Sequence, residues 1–132
     1  MPIMNHDFSN LRALSVIEKF VQSKHNFYLT GSRFFGVSSS DSDYDFFTGD
    51  TPGLDYFLEE LGFECVVSDY NDNNCKYVCR HHEAHIDVQV VKDPCMKEAI
   101  QESMKRWGVI PRSSSKSYNT SLWNFASDLY NF

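Results

Sequence analysis

The chain has 132 residues, 42% of them hydrophobic and 15% aromatic, which suits one packed domain spanning 1–132 and leaves no room for a second of substantial size. Its 18 acidic residues outnumber 12 basic ones, for a formal charge of -6, and this argues against the broad basic footprint that captures long DNA or RNA, favouring a small or protein substrate. No apolar run is long enough for a membrane helix and residues 1–10 lack the pattern of a secretory leader, so the expectation is a cytoplasmic protein with no membrane partner.

In chain order, residues 8–24 carry Leu11, Leu14, Ile17 and Val21 at helical spacing, with Ser9 or Asn10 placed to cap. Residues 26–30 read as a first strand. Gly31 and Ser32 follow it where a strand gives way to a short helical turn, a position whose backbone N–H groups can meet phosphate oxygens. Residues 43–48 read as a second strand. Side chains alternate along a strand, so Asp43 and Asp45 project from one face while Tyr44 and Phe46 point into the core. Two hard oxygen ligands one strand-step apart suit Mg²⁺. Asp41-Ser42-Asp43 is also an Asp-x-Asp, but its middle residue is polar and it lies in a serine-rich loop, which assigns Asp41 a loop or outer role.

Thr51-Pro52 is placed as cap and first residue of a helix running through Leu54, Phe57, Leu58 and Leu61 to a stop at Gly62. Residues 63–68, 76–81 and 85–91 read as strands, with a polar turn over 69–74. A hairpin of the last two brings Asp87 beside Asp43 and Asp45, with His85 and Gln89 on the side of Asp87. Pro94 opens another helix to about Trp107. After a break at 108–111, the polar run 112–117 leads into a final helix with an apolar stripe at Leu122, Trp123, Phe125, Ala126, Leu129 and Tyr130. Arg112 or Lys116 could reach a triphosphate, though a serine-rich linker is the preferred reading. Trp107, Tyr118 and Trp123 could stack on a base, but at helical spacing aromatic residues are more often core.

Gly31-Ser32, ten residues, Asp43-x-Asp45, and then Asp87 within the apolar run 84–91 resembles the signature of the DNA polymerase β nucleotidyltransferase superfamily, and its minimal stand-alone members above all. The resemblance covers residues 26–91. It implies an α+β fold, a small mixed β-sheet flanked by helices. It also implies a Mg²⁺-dependent site, with Mn²⁺ as a substitute, in which Asp43, Asp45 and Asp87 hold the metals and carry catalysis. Gly31, Ser32 and Arg33 would then bind a nucleoside triphosphate, ATP being the expected donor. Minimal members include antitoxins that adenylylate a partner toxin, so the implied acceptor is a protein or small-molecule hydroxyl.

Two other functions compete. A catalytically inactive nucleotide-binding or regulatory module would act through a protein partner, which the intact carboxylate trio disfavours. An aspartyl phosphatase would use Asp43-x-Asp45 with Thr48, but it leaves Gly31-Ser32 unexplained. Cys65, Cys75, Cys79 and Cys95 are expected as reduced thiols. Cys75, Cys79, His81, His82 and His85 lie close enough in sequence to raise a zinc site, but without Cys-x-x-Cys knuckles ordinary thiols and surface histidines are the preferred account.

Overall fold

A computed structural model describes residues 11–66, 74–111 and 116–129. Five helices and five strands follow one another along them as α1 (Leu11–Gln22), β1 (Tyr28–Thr30), α2 (Gly31–Phe35), β2 (Tyr44–Gly49), α3 (Leu54–Glu60), β3 (Glu64–Val66), β4 (Cys75–His81), β5 (Ile86–Val91), α4 (Pro94–Arg106) and α5 (Lys116–Leu129). The strands form one open mixed sheet in the order β1-β2-β5-β4-β3. Only β2 and β5 run parallel; the other three pairings are antiparallel. Among the described residues no helix is long and apolar enough to cross a membrane.

The strand alternation decides which face carries what. Tyr44, Phe46, Ile86, Val88 and Val90 are buried in one cluster with Ala13, Val16 and Phe20 of α1 and Leu54 and Leu58 of α3. A second cluster joins Phe35 of α2 to Ile100 and Met104 of α4 and Ala126 of α5. Of the intervening strand positions, Asp45, Asp87 and Gln89 are only partly covered, whereas Phe47 and Val91 are buried.

The buried face of α1 differs from the expected stripe. Leu11 and Val21 are 70% and 80% exposed, while Ala13, Val16 and Phe20 turn inward. Phe20 sets the rotation: its ring stacks on Phe27 at 4.0 Å and meets Phe46 edge-on at 5.3 Å, aromatic pairings that add about 0.5–1.5 kcal/mol each beyond buried area. β1 begins at Tyr28 rather than at residue 26, because the Asn26 carbonyl accepts a hydrogen bond from the Thr48 hydroxyl at 2.6 Å instead of joining a ladder.

Thr51-Pro52 does not cap α3. Gly53 is the N-cap, at φ 83°, and the Thr51 hydroxyl is drawn back to the ring of His25, 2.8 Å from Nδ1. At α4 the expected start holds: Pro94 follows an Asp93 cap whose carboxylate accepts from the Met96 N–H at 2.9 Å.

Cys65 and Cys79 are direct partners across β3 and β4 and are joined as a disulfide. The expectation of reduced thiols therefore fails for this pair, since cross-strand register brings together two cysteines 14 residues apart. Cys75 and Cys95 are not disulfide-bonded. The polar turn over 69–74 lies outside the described residues except for Asn74, whose side chain accepts from the Asp93 N–H at 2.9 Å; Arg112 also lies outside them.

Candidate active site

Sheet register builds the site. Thr30 pairs with Asp45, Asp45 with Asp87, Asp87 with Arg80, and Arg80 with Glu64, so five strands contribute one residue each to a single row. Paired residues share a face, and the two aspartates therefore stand side by side on neighbouring parallel strands. Asp43, one residue before β2, reaches the same cleft from the rim.

Burial pushes the Asp45 carboxyl up to about 7, and the charges of Asp87 and Asp43 add to the rise, while Arg33 and Arg80 oppose it. Three carboxylates, one of them partly buried and driven toward protonation by that burial and by its neighbours, are a donor set that a hard divalent cation relieves. The residues present fit such an ion, although among the described residues no three His, Cys, Asp or Glu side chains close into a finished ligand group.

Gly31, at φ 70°, lies against Asp45, and a Cβ there would come within 3.0 Å of the Asp45 Cβ and Cγ and closer still to its carboxylate. The sequence accounts for a glycine here by the approach of phosphate; the structure adds a second reason, room for the aspartate itself. Ser32 follows in the first turn of α2 and lines the cleft with Gly31. The turn is fixed from behind by Gln101 of α4, whose Nε2 donates to the Leu29 carbonyl at 2.9 Å.

Arg33 is placed differently from its sequence assignment. Its Nη2 donates to the Ser42 carbonyl at 2.7 Å and its guanidinium lies 3.9 Å from the Tyr44 ring centre. It thus anchors the loop that delivers Asp43 and does not line the cleft. Asp41 borders a neighbouring recess with Arg33 and His85, apart from Asp45 and Asp87, in keeping with a loop role.

His85 is a non-glycine residue at positive φ, 56°. Its carbonyl accepts from the Tyr44 N–H at 2.9 Å, and its Nδ1 lies 3.6 Å from an Asp43 carboxylate oxygen. This left-handed residue, uncommon for a side chain with a Cβ, ties the β4–β5 turn to the start of β2. Gln89 shares the face of Asp87 but accepts from Lys97 Nζ at 2.9 Å, so it covers the sheet beneath α4.

The cleft holds about 650 Å³. Its far wall comes from the C-terminal part of the chain through Pro111, Asn119 and Trp123. Trp123 is packed edge-on to Phe35 at 6.2 Å with Lys97 Nζ 4.7 Å from its ring, so it serves the core and the wall together. Trp107 and Tyr118 do not line the cleft. Lys116 lies within α5.

Of the residues considered for zinc, Cys79, His81, His82 and His85 have other contacts. Cys79 is in the disulfide, and His81 Nδ1 accepts from the Ala84 N–H at 3.1 Å. His82 faces Glu64 at 3.9 Å and His85 faces Asp43. Arg80 is the site residue that sequence reasoning missed. Its Nε is 3.5 Å from an Asp87 carboxylate oxygen, and the residue lines the cleft.

Compared with protein-family models and with curated proteins, the sequence returns no match.

Proposed function

We propose that the protein is a metal-dependent nucleotidyltransferase of polymerase β-like fold, which moves a nucleoside monophosphate from a nucleoside triphosphate, ATP being the expected donor, to a hydroxyl on a protein or small molecule. The observation that carries this reading is the in-register pair Asp45–Asp87 on adjacent parallel strands, with Gly31 pressed against Asp45. Asp43 adds a third carboxylate at the rim.

Gly31 and Ser32 would receive the phosphates, the serine donating from its hydroxyl and from its N–H. Divalent cations held by Asp43, Asp45 and Asp87 would supply neutralisation of the charge that grows on the entering and leaving oxygens. Asp87, at the end of the carboxylate row away from Gly31, orients the acceptor hydroxyl and takes its proton. A bond forms between the acceptor oxygen and the α-phosphorus. The bond from that phosphorus to the bridging oxygen breaks, and pyrophosphate leaves with the electron pair.

Thermal unfolding tests the shared site. Mg²⁺ and ATP together should raise the melting temperature by more than the sum of their separate shifts, because each completes the other's binding. Merely additive shifts at saturating ligand would remove the common site on which the reading depends.

A further inference from the structure

The row Thr30–Asp45–Asp87–Arg80–Glu64 has two unlike ends. At one end the chain turns into Gly31 and Ser32, where neutral donors face the cleft. At the other, just beyond Asp87, the first side chain met is the guanidinium of Arg80. If the triphosphate lies at the Gly31 end, an acceptor must approach Asp87 from the Arg80 side.

Arg80 is loosely held where it stands. Its Nε is buried without a hydrogen-bond partner, although an Asp87 oxygen is 3.5 Å away. An arginine serving only to neutralise a neighbouring carboxylate closes to about 2.7–2.9 Å, frequently with two parallel bonds. Glu64, its partner on the other side of the row, is turned to His82, whose Nε2 lies 3.9 Å from a Glu64 carboxylate oxygen. The Arg80 side chain is 43% exposed and forms part of the cleft wall. A planar fork with an unused donor, on an open wall, matches a carboxylate or phosphate.

We propose that Arg80 is an anion-recognition residue for the acceptor, so that the molecule receiving the nucleotidyl group carries a phosphate or carboxylate close to its reacting hydroxyl. The inference rests on the nucleotidyl-transfer reading and narrows its acceptor class. Arg80 binds the anionic group while Asp87, its direct neighbour in the row, faces the hydroxyl.

The test uses the full chain saturated with Mg²⁺ and a non-hydrolysable ATP analogue, titrated with glycerol, glycerate or glycerol 3-phosphate. These probes share a hydroxyl and differ in the anion, so the two charged arms tell carboxylate from phosphate. At least one charged probe should bind about tenfold or more tightly than glycerol, the gain of a charge-assisted hydrogen bond. In protein saturated with the analogue and Mg²⁺, Arg80→Gln should erase that preference, and Arg80→Lys should restore part of it. Equal binding of all three probes to the wild-type protein overturns the proposal, whether or not Arg80→Gln folds. A preference that survives in a folded Arg80→Gln protein also overturns it. Failure of the wild-type chain to bind the analogue with Mg²⁺ brings down the nucleotidyl-transfer reading itself, and this inference with it.

Discussion

Gly31 and Asp45 share a space that admits only one side chain. A methyl group on Gly31 would stand 3.0 Å from the Asp45 Cβ and closer to its carboxylate, at a backbone φ of 70° that a side chain already disfavours. The glycine at the head of α2 and the aspartate in the middle of the site are thus one structural unit.

Gly31→Ala should therefore cost about 2–4 kcal/mol, combining left-handed strain with overpacking. Gly31→Val should cost more. Gly36 supplies the control: its φ is 79°, but a Cβ there would meet nothing within 4 Å. Gly36→Ala should lose only about 1–2 kcal/mol from the backbone. Urea unfolding of the three variants measures the difference. Equal losses at positions 31 and 36 would show that Asp45 moves aside at no cost.

The partly buried Asp45 carboxylate gives the metal-free protein a pH dependence of definite sign. Asp45 rises from 3.8 to about 7 in the folded chain, so the native state holds this proton more tightly than the unfolded state. Its contribution to stability is complete below the unfolded value and is lost as pH rises through about 7. In a chelator, wild-type protein should lose stability between pH 5 and pH 8 relative to Asp45→Asn, and at pH 8 the variant should be the more stable. Melting curves across the range test this, and a constant gap between the two proteins would contradict it. Mg²⁺ should stabilise the wild type more at pH 8 than at pH 5, since proton and cation compete for the same oxygens.

Ser32→Ala removes one hydroxyl donor from the first turn of α2 and spares its N–H. It should weaken ATP binding in the presence of Mg²⁺ by about fivefold to tenfold, the scale of one hydrogen bond, without lowering the melting temperature of the ligand-free protein. Isothermal titration decides the point. Unchanged affinity would remove the hydroxyl from phosphate recognition.

The Cys65–Cys79 link closes a span of 14 residues between β3 and β4, for which restriction of the unfolded chain is worth about 3 kcal/mol. A reducing agent, or Cys65→Ser, should lower stability by that order. Mass spectrometry of the native protein under alkylation should find Cys75 and Cys95 modified, Cys95 faster because it is exposed, and Cys65 and Cys79 protected until reduction.

Much of this was legible from local pattern. The alternation around Asp45 and Asp87 announced two strands with apolar backs, and Pro94 after Asp93 announced the start of α4. What escaped was set by contacts between distant segments. Arg80 is seven residues before Asp87, and only the register of the β4–β5 hairpin makes them partners. Counting back across the turn at 82–85 would have found it, but nothing in the composition of 76–81 singles the arginine out. The cysteine pair was missed for the same reason, since only the register of β3 on β4 shows which thiols meet. Arg33 follows the phosphate-turn residues in sequence, but its contacts with the Ser42 carbonyl and the Tyr44 ring depend on how the loop before β2 folds back. On α1, periodicity located the helix but not its rotation, which Phe20 sets by meeting Phe27 and Phe46.

The central claim is that Asp43, Asp45 and Asp87 form one centre for transfer from the α-phosphorus, and that Asp41, on a neighbouring recess, stands outside it. Its most direct test is incubation with Mg²⁺ and ATP labelled at either the α or the γ position, with acceptors scored for covalent label, for the wild type and for asparagine at each of the four aspartates. Label should move from the α position only; Asp43→Asn, Asp45→Asn and Asp87→Asn should nearly abolish it while remaining folded, and Asp41→Asn should keep most of it. Transfer of the γ label, or an inactive Asp41→Asn beside an active Asp45→Asn, would contradict the account.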